Sequence, residues 1–112
     1  MRFSTSILTT ALIAGGAVST VHAALPKANE YKSSDCSGAL NYGHHSAFLG
    51  DVTMDDSSHS VYLAGANWVG FSDKTSNGGK CSGSALTVLQ GECNNLDTAH
   101  PGKRIKCVRN ID

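Results

Sequence analysis

From Tyr31 onward the chain is built of short apolar runs separated by Gly, Asn, Asp and Ser. The runs are Ala47-Phe48-Leu49, Val52-Thr53-Met54, Ser60-Val61-Tyr62-Leu63, Trp68-Val69-Gly70-Phe71, Ala85-Leu86-Thr87-Val88-Leu89 and Ile105-Lys106-Cys107-Val108. No window keeps an i, i+3, i+4, i+7 stripe over about ten residues, and β-branched and aromatic residues gather in the runs. The pattern predicts an all-β fold, a small disulfide-stabilised sandwich. Turns are expected at Gly50-Asp51, Asn77-Gly78-Gly79, Gln90-Gly91 and Pro101-Gly102. The segment from Ala24 to Glu30, with Pro26, reads as extended and frayed.

The N-terminus carries a different pattern. Arg2 is followed by an apolar stretch from Ile7 to Val18 and then by Val21-His22-Ala23, which places small residues where a signal peptidase inspects them. Residues 1–23 therefore read as a signal peptide and 24–112 as one secreted β domain, soluble and extracellular. The apolar stretch is too short, and too rich in Thr and Gly, to span a bilayer.

Export changes the meaning of the cysteines. Cys36, Cys81, Cys93 and Cys107 all follow the cleavage site, and an even count in an exported chain implies two disulfides. No Cys-x2-Cys spacing suggests a zinc knuckle. Three connectivities are open, and the favoured one is Cys36 with Cys81 and Cys93 with Cys107. In the chain-entropy model the short second loop contributes about 3 kcal/mol and the longer first one about 4 kcal/mol.

Nine Lys and Arg balance nine Asp and Glu. Such a chain lacks the basic field that drives binding to nucleic acid or anionic membrane, so neither partner is expected. The signs are nevertheless segregated, acids at Asp51 to Asp56 and bases at Lys103 to Arg109.

Two segments look alike. Cys36-Ser37-Gly38-Ala39-Leu40 resembles Cys81-Ser82-Gly83-Ser84-Ala85-Leu86, and His59-Ser60-Val61-Tyr62 resembles Lys106-Cys107-Val108-Arg109. Two similar β units are the expectation. Tyr31 to Gly38 and Phe71 to Gly78 each run from an aromatic through six residues to a Gly, and Asp55-Asp56-Ser57-Ser58-His59-Ser60 precedes an apolar run. With these features the chain resembles the microbial βγ-crystallins, whose Greek keys end on Asn/Asp-Asn/Asp-x-x-Ser/Thr-Ser before a strand; His59 departs from that ending. The second ending, Gly102-Lys103-Arg104-Ile105-Lys106, has lost both acids. The resemblance implies two Greek keys and a calcium loop at Asp55 and Asp56, weak because its partner motif lacks the acids. Layout and size also resemble the small secreted cysteine-containing proteins of fungi, many of them effectors or toxins.

Candidate chemistry is sparse. Asp51, Asp55 and Asp56 with Thr53, Ser57 and Ser58 offer hard oxygens suited to calcium; no other cofactor is expected. Tyr42-Gly43-His44-His45-Ser46 is a dense polar cluster, but neighbouring strand residues point to opposite faces. His44, His45, His59 and His100 could together make a metal site or an acid/base pair. A small nuclease would need an arrangement such as His45 and His100 around a phosphate held by Lys103, Arg104 or Lys106. No Gly-x-Ser-x-Gly or His-Glu-x-x-His motif orders these groups. Trp68, flanked by small residues, is a candidate for exposed recognition or for a core anchor. The reading that follows is a secreted, monomeric, non-enzymatic protein that binds an extracellular protein or glycan in the manner of an effector or toxin, with Trp68, Lys103, Arg104 and Lys106 as candidate contacts. A small secreted hydrolase and a calcium-stabilised crystallin-like structural protein are the alternatives.

Overall fold

The computed structural model describes residues 25–112, so the signal peptide read from the sequence lies outside the described residues. Eight strands follow one another: β1 (Lys27–Tyr31), β2 (Leu40–His45), β3 (Asp51–Thr53), β4 (Ser60–Ala64), β5 (Trp68–Thr75), β6 (Cys81–Leu89), β7 (Glu92–Asn95) and β8 (Cys107–Asn110). Among the described residues there is no helix, and hence none long and apolar enough to cross a membrane. Two antiparallel four-stranded sheets form a sandwich, with orders β2-β1-β4-β7 and β3-β8-β5-β6.

β1–β4 and β5–β8 form two units, in each of which the fourth strand returns beside the first. The third strand of each unit crosses over: β3 joins the second sheet and β7 the first. The exchange makes the two units inseparable, because each sheet is completed by the other unit's strand.

The repeated segments of the sequence occupy equivalent places. Tyr31 lies across from Ser60 and Leu40, and Phe71 across from Cys107 and Ala85. The N–H of His59 donates to the Tyr31 carbonyl at 2.8 Å, and that of Lys106 to the Phe71 carbonyl at 2.9 Å. Gly38 and Gly83 both hold positive φ, 80° and 74°, which a Cβ would strain. Between Phe71 and β6, by contrast, it is Gly79 rather than Gly78 that takes positive φ.

Inward positions of both sheets, together with Met54, Leu96 and Ile105 from the connections, form one apolar core with Ala28, Val52, Val61, Leu63, Trp68, Leu89 and Val108. Three strands lie outside the apolar runs: β1, β2 and β7. Of the segment expected to fray, Lys27 to Glu30 lie in β1, paired on both sides, with Ala28 and Glu30 turned inward. Ala47-Phe48-Leu49 is a connection instead, with Phe48 exposed.

The disulfides join Cys36 to Cys93 and Cys81 to Cys107, correcting the favoured pairing of Cys36 with Cys81 and Cys93 with Cys107. Strand exchange is the reason. It carries Cys93, on β7, into the first sheet beside β4, while Cys107, on β8, stays in the second with Cys81 on β6. The bridges span 57 and 26 residues. On chain entropy these loops contribute about 4 and about 3.5 kcal/mol.

Candidate functional site: a cleft floored by Glu30 and His44

Alternation on β1 turns Ala28 and Glu30 toward the core, and cross-strand partners share a face. Tyr42 lies across from Glu30 and His44 across from Ala28, so both project from the inner side of β2. Since β2 is an edge strand, this inner side opens to solvent. The result is a cleft of about 260 Å³ between the sheets, lined by Glu30, Tyr42, His44, Thr53, Asp55 and Lys74.

Its floor is a buried carboxylate. Glu30 is 1% exposed. Its Oε1 accepts the Asp55 N–H at 2.7 Å and the Ser58 hydroxyl at 2.8 Å, and its Oε2 lies 2.6 Å from His44 Nε2. A carboxylate accepts, so His44 Nε2 carries the hydrogen. Asn41 Nδ2 donates to the Ser57 and Ser58 hydroxyls and extends the network. A buried charge is tolerated only when its oxygens are taken, and here both are. The network therefore holds the imidazole in a fixed orientation, with the His44 side chain 30% exposed and Tyr42 50% exposed above it.

A second network ties the β3–β4 connection to the β7–β8 connection. Arg104 Nη2 donates to the carbonyls of Asp55 at 2.8 Å and Ser58 at 2.6 Å, and Nη1 donates to Asp97 Oδ1 at 2.8 Å. His59 Nδ1 meets the other Asp97 oxygen at 2.7 Å. Partial burial pushes the Asp97 carboxyl up, but His59 and Arg104 together outweigh it and hold it below the usual carboxylate range. Arg104 is therefore a clamp between the two connections, with its side chain 20% exposed.

This clamp bears on the calcium expectation. Calcium needs six to eight oxygens. Asp55 Oδ2 already accepts the Ser57 N–H and hydroxyl, which keep its carboxyl low; Asp56 Oδ1 faces Lys74 Nζ at 3.0 Å; and the Asp55 and Ser58 carbonyls are taken by Arg104. In this arrangement Asp55 Oδ2 and Asp56 Oδ1 are thus engaged by protein groups rather than turned together toward one point. Among the described residues no three His, Cys, Asp or Glu side chains are grouped to hold a metal ion.

The other sequence candidates scatter. Trp68 is fully buried and anchors the core, so it offers no surface for recognition; its indole N–H has no partner. Lys103 and Lys106 border a shallow depression with Ser72, Asp73 and Arg104. His44 and His59 bond different carboxylates, and His45 points away from His44 as strand alternation requires. Asp51 belongs to a structural network: its Oδ2 accepts the Cys81 N–H at 2.7 Å and Arg109 Nε at 2.8 Å, while the Arg109 guanidinium stacks 4.5 Å from the Phe71 ring centroid.

Glu30 carries no motif in the sequence. The one available signal is its place immediately before Tyr31, matching Gly70 before Phe71. No family model, curated protein or solved structure matches the chain.

Proposed function

We propose that the chain is a small exported protein of βγ-crystallin type that works outside the producing cell by binding a partner, as effectors and toxins do, and that the β2 cleft is its binding face. The observation that carries this reading is the preorganised cleft: a half-exposed Tyr42 above a His44 locked by a buried, fully hydrogen-bonded Glu30. Fixing polar groups before a partner arrives reduces the ordering entropy of binding. Paired Greek keys opened by Tyr31 and Phe71 accord with the crystallin resemblance, and two disulfides are typical of extracellular proteins.

The Glu30–His44 pair also favours a second reading, a small hydrolase, because a histidine oriented by a carboxylate is half of a nucleophile-activating arrangement. The nearby hydroxyl is badly placed for that role: Ser58 is fully buried and donates to Glu30. Incubating purified oxidised protein with cell surfaces, RNA, polysaccharide and peptide separates the two readings. Saturable binding without turnover is the expected result; turnover lost in His44→Ala would move the protein to the hydrolases.

A further inference from the structure

We propose that the cleft takes a neutral saccharide unit, with Tyr42 as its stacking platform; this deepens the binding function proposed above and rests on it. Size is the first constraint. At about 260 Å³ the cleft falls below the ~300–1,000 Å³ of pockets for larger organic ligands and suits a single ring of a chain that continues into solvent.

Charge is the second. Cationic and acidic groups both line the cleft, and each is already engaged: Lys74 with Asp56 at 3.0 Å, His44 with Glu30 at 2.6 Å, and Asp55 with Ser57. An anionic ligand would face Asp55 and Glu30 with Lys74 already shared with Asp56, and a cationic one would find Glu30 buried and hydrogen-bonded on both oxygens. What is left is mixed hydrogen-bonding capacity: two further donors on the Lys74 ammonium, the second Asp55 oxygen, and the phenol of Tyr42. Hydroxyl groups, which both donate and accept, match that mixture without bringing charge.

Shape is the third. A pyranose presents a flat face of C–H groups, and a half-exposed phenol ring offers the complementary apolar plane with a polar tip. Tyr42 is held on a strand whose neighbour, β1, is paired on both sides, so the backbone that carries the platform is fixed before the ligand arrives.

The test is a ¹H–¹⁵N NMR titration of the oxidised protein, expressed as the full chain, with cellobiose, chitobiose, maltose and mannobiose, and with glucuronate, glucosamine and inorganic phosphate as charged probes. At least one neutral disaccharide should shift the amides of Tyr42, His44, Thr53 and Lys74 more than any charged probe does. Tyr42→Ala should weaken that binding about tenfold, while Tyr42→Phe, which keeps the ring, should stay within about threefold. The proposal is overturned if no neutral disaccharide perturbs the cleft, if glucuronate or phosphate is preferred, or if Tyr42→Ala, with an unchanged thermal midpoint, binds as well as the parent. Binding to cell surfaces that depends on Tyr42 but survives complete enzymatic deglycosylation would overturn the saccharide and leave the binding function standing. No surface binding at all would remove both.

Discussion

Gly70 takes in the second four-strand unit the place that Glu30 takes in the first. Glu30 lies across from Val61 and Gly70 across from Val108, each one residue before the aromatic that opens its unit. Beside Glu30 stands Ser58, whose hydroxyl donates to it; beside Gly70 stands Ile105, so close that a Cβ on Gly70 would lie 2.9 Å from its Cδ1. One backbone plan thus holds a polar cluster in one unit and an apolar plug in the other. The cleft lined by Tyr42 and His44 lies on the polar side.

The two positions should respond differently to substitution. Gly70→Ala overpacks Ile105 and should cost about 1–3 kcal/mol. Glu30→Ala strands the Asp55 N–H, the Ser58 hydroxyl and His44 and should cost about 3 kcal/mol. Chemical denaturation of both variants checks the values, and a neutral Glu30→Ala would mean that the buried network is not a structural element.

Peptide mapping under nonreducing conditions should recover Cys36 linked to Cys93 and Cys81 linked to Cys107. Replacing Cys36 and Cys93 by Ser should lower stability by about 4 kcal/mol, a large share of the total for a domain of this size. Recovery of a Cys93–Cys107 peptide would contradict the exchanged strands, since those residues lie in different sheets.

Arg104 and its neighbour Lys103 provide an internal comparison. Arg104, 20% exposed and donating to Asp55, Ser58 and Asp97, should cost about 2–3 kcal/mol when changed to Ala. Lys103 is exposed, and its change to Ala should stay within about 0.5 kcal/mol. Calcium at about 1 mM should raise the thermal midpoint by no more than about 3 °C, the effect of a site with a Kd near that concentration. A larger shift abolished by Asp56→Ala would mean that the loop rearranges into a complete site.

Asp51 sets an expectation for acid. Partial burial pushes its carboxyl up, but the Cys81 N–H and the Arg109 guanidinium, with Lys80, outweigh this and hold it below the usual range. A depressed carboxyl contributes stability that is present above its unfolded value of about 3.9 and disappears as pH falls through the folded value. Thermal midpoints should therefore drop below about pH 4. Asp51→Asn should lower the neutral midpoint and flatten that acid limb; an unchanged limb would mean that Asp51 contributes nothing to it.

The sequence shows the fold class where inward positions are apolar and hides it where they are not. The apolar runs around Val52, Val61, Trp68, Leu89 and Val108 all became strands, and the likeness of Cys36-to-Leu40 and Cys81-to-Leu86 marked two units in which Leu40 and Ala85 lie across from Tyr31 and Phe71. β1 and β2 were obscured because Glu30, Tyr42 and His44 occupy their inward positions, so period-two alternation carries no hydrophobic signal there. The disulfide pairing depended on which sheet β7 joins, a long-range choice that cysteine spacing does not encode. Lys103, Arg104 and Lys106 are similar in sequence, yet only Arg104 reaches carbonyls 49 and 46 residues away.

Binding of the oxidised protein to an extracellular surface, compared among the parent chain, Tyr42→Ala and the double variant Lys103→Ala/Lys106→Ala, tests the central claim most directly. All three forms should unfold at similar temperatures, because the changed side chains are exposed or half-buried and lie outside the core. The account predicts that Tyr42→Ala binds about tenfold more weakly while the double lysine variant binds as the parent does at both low and physiological salt. Full binding by Tyr42→Ala together with a salt-dependent loss in the lysine variant would contradict it and place the interface on the basic segment.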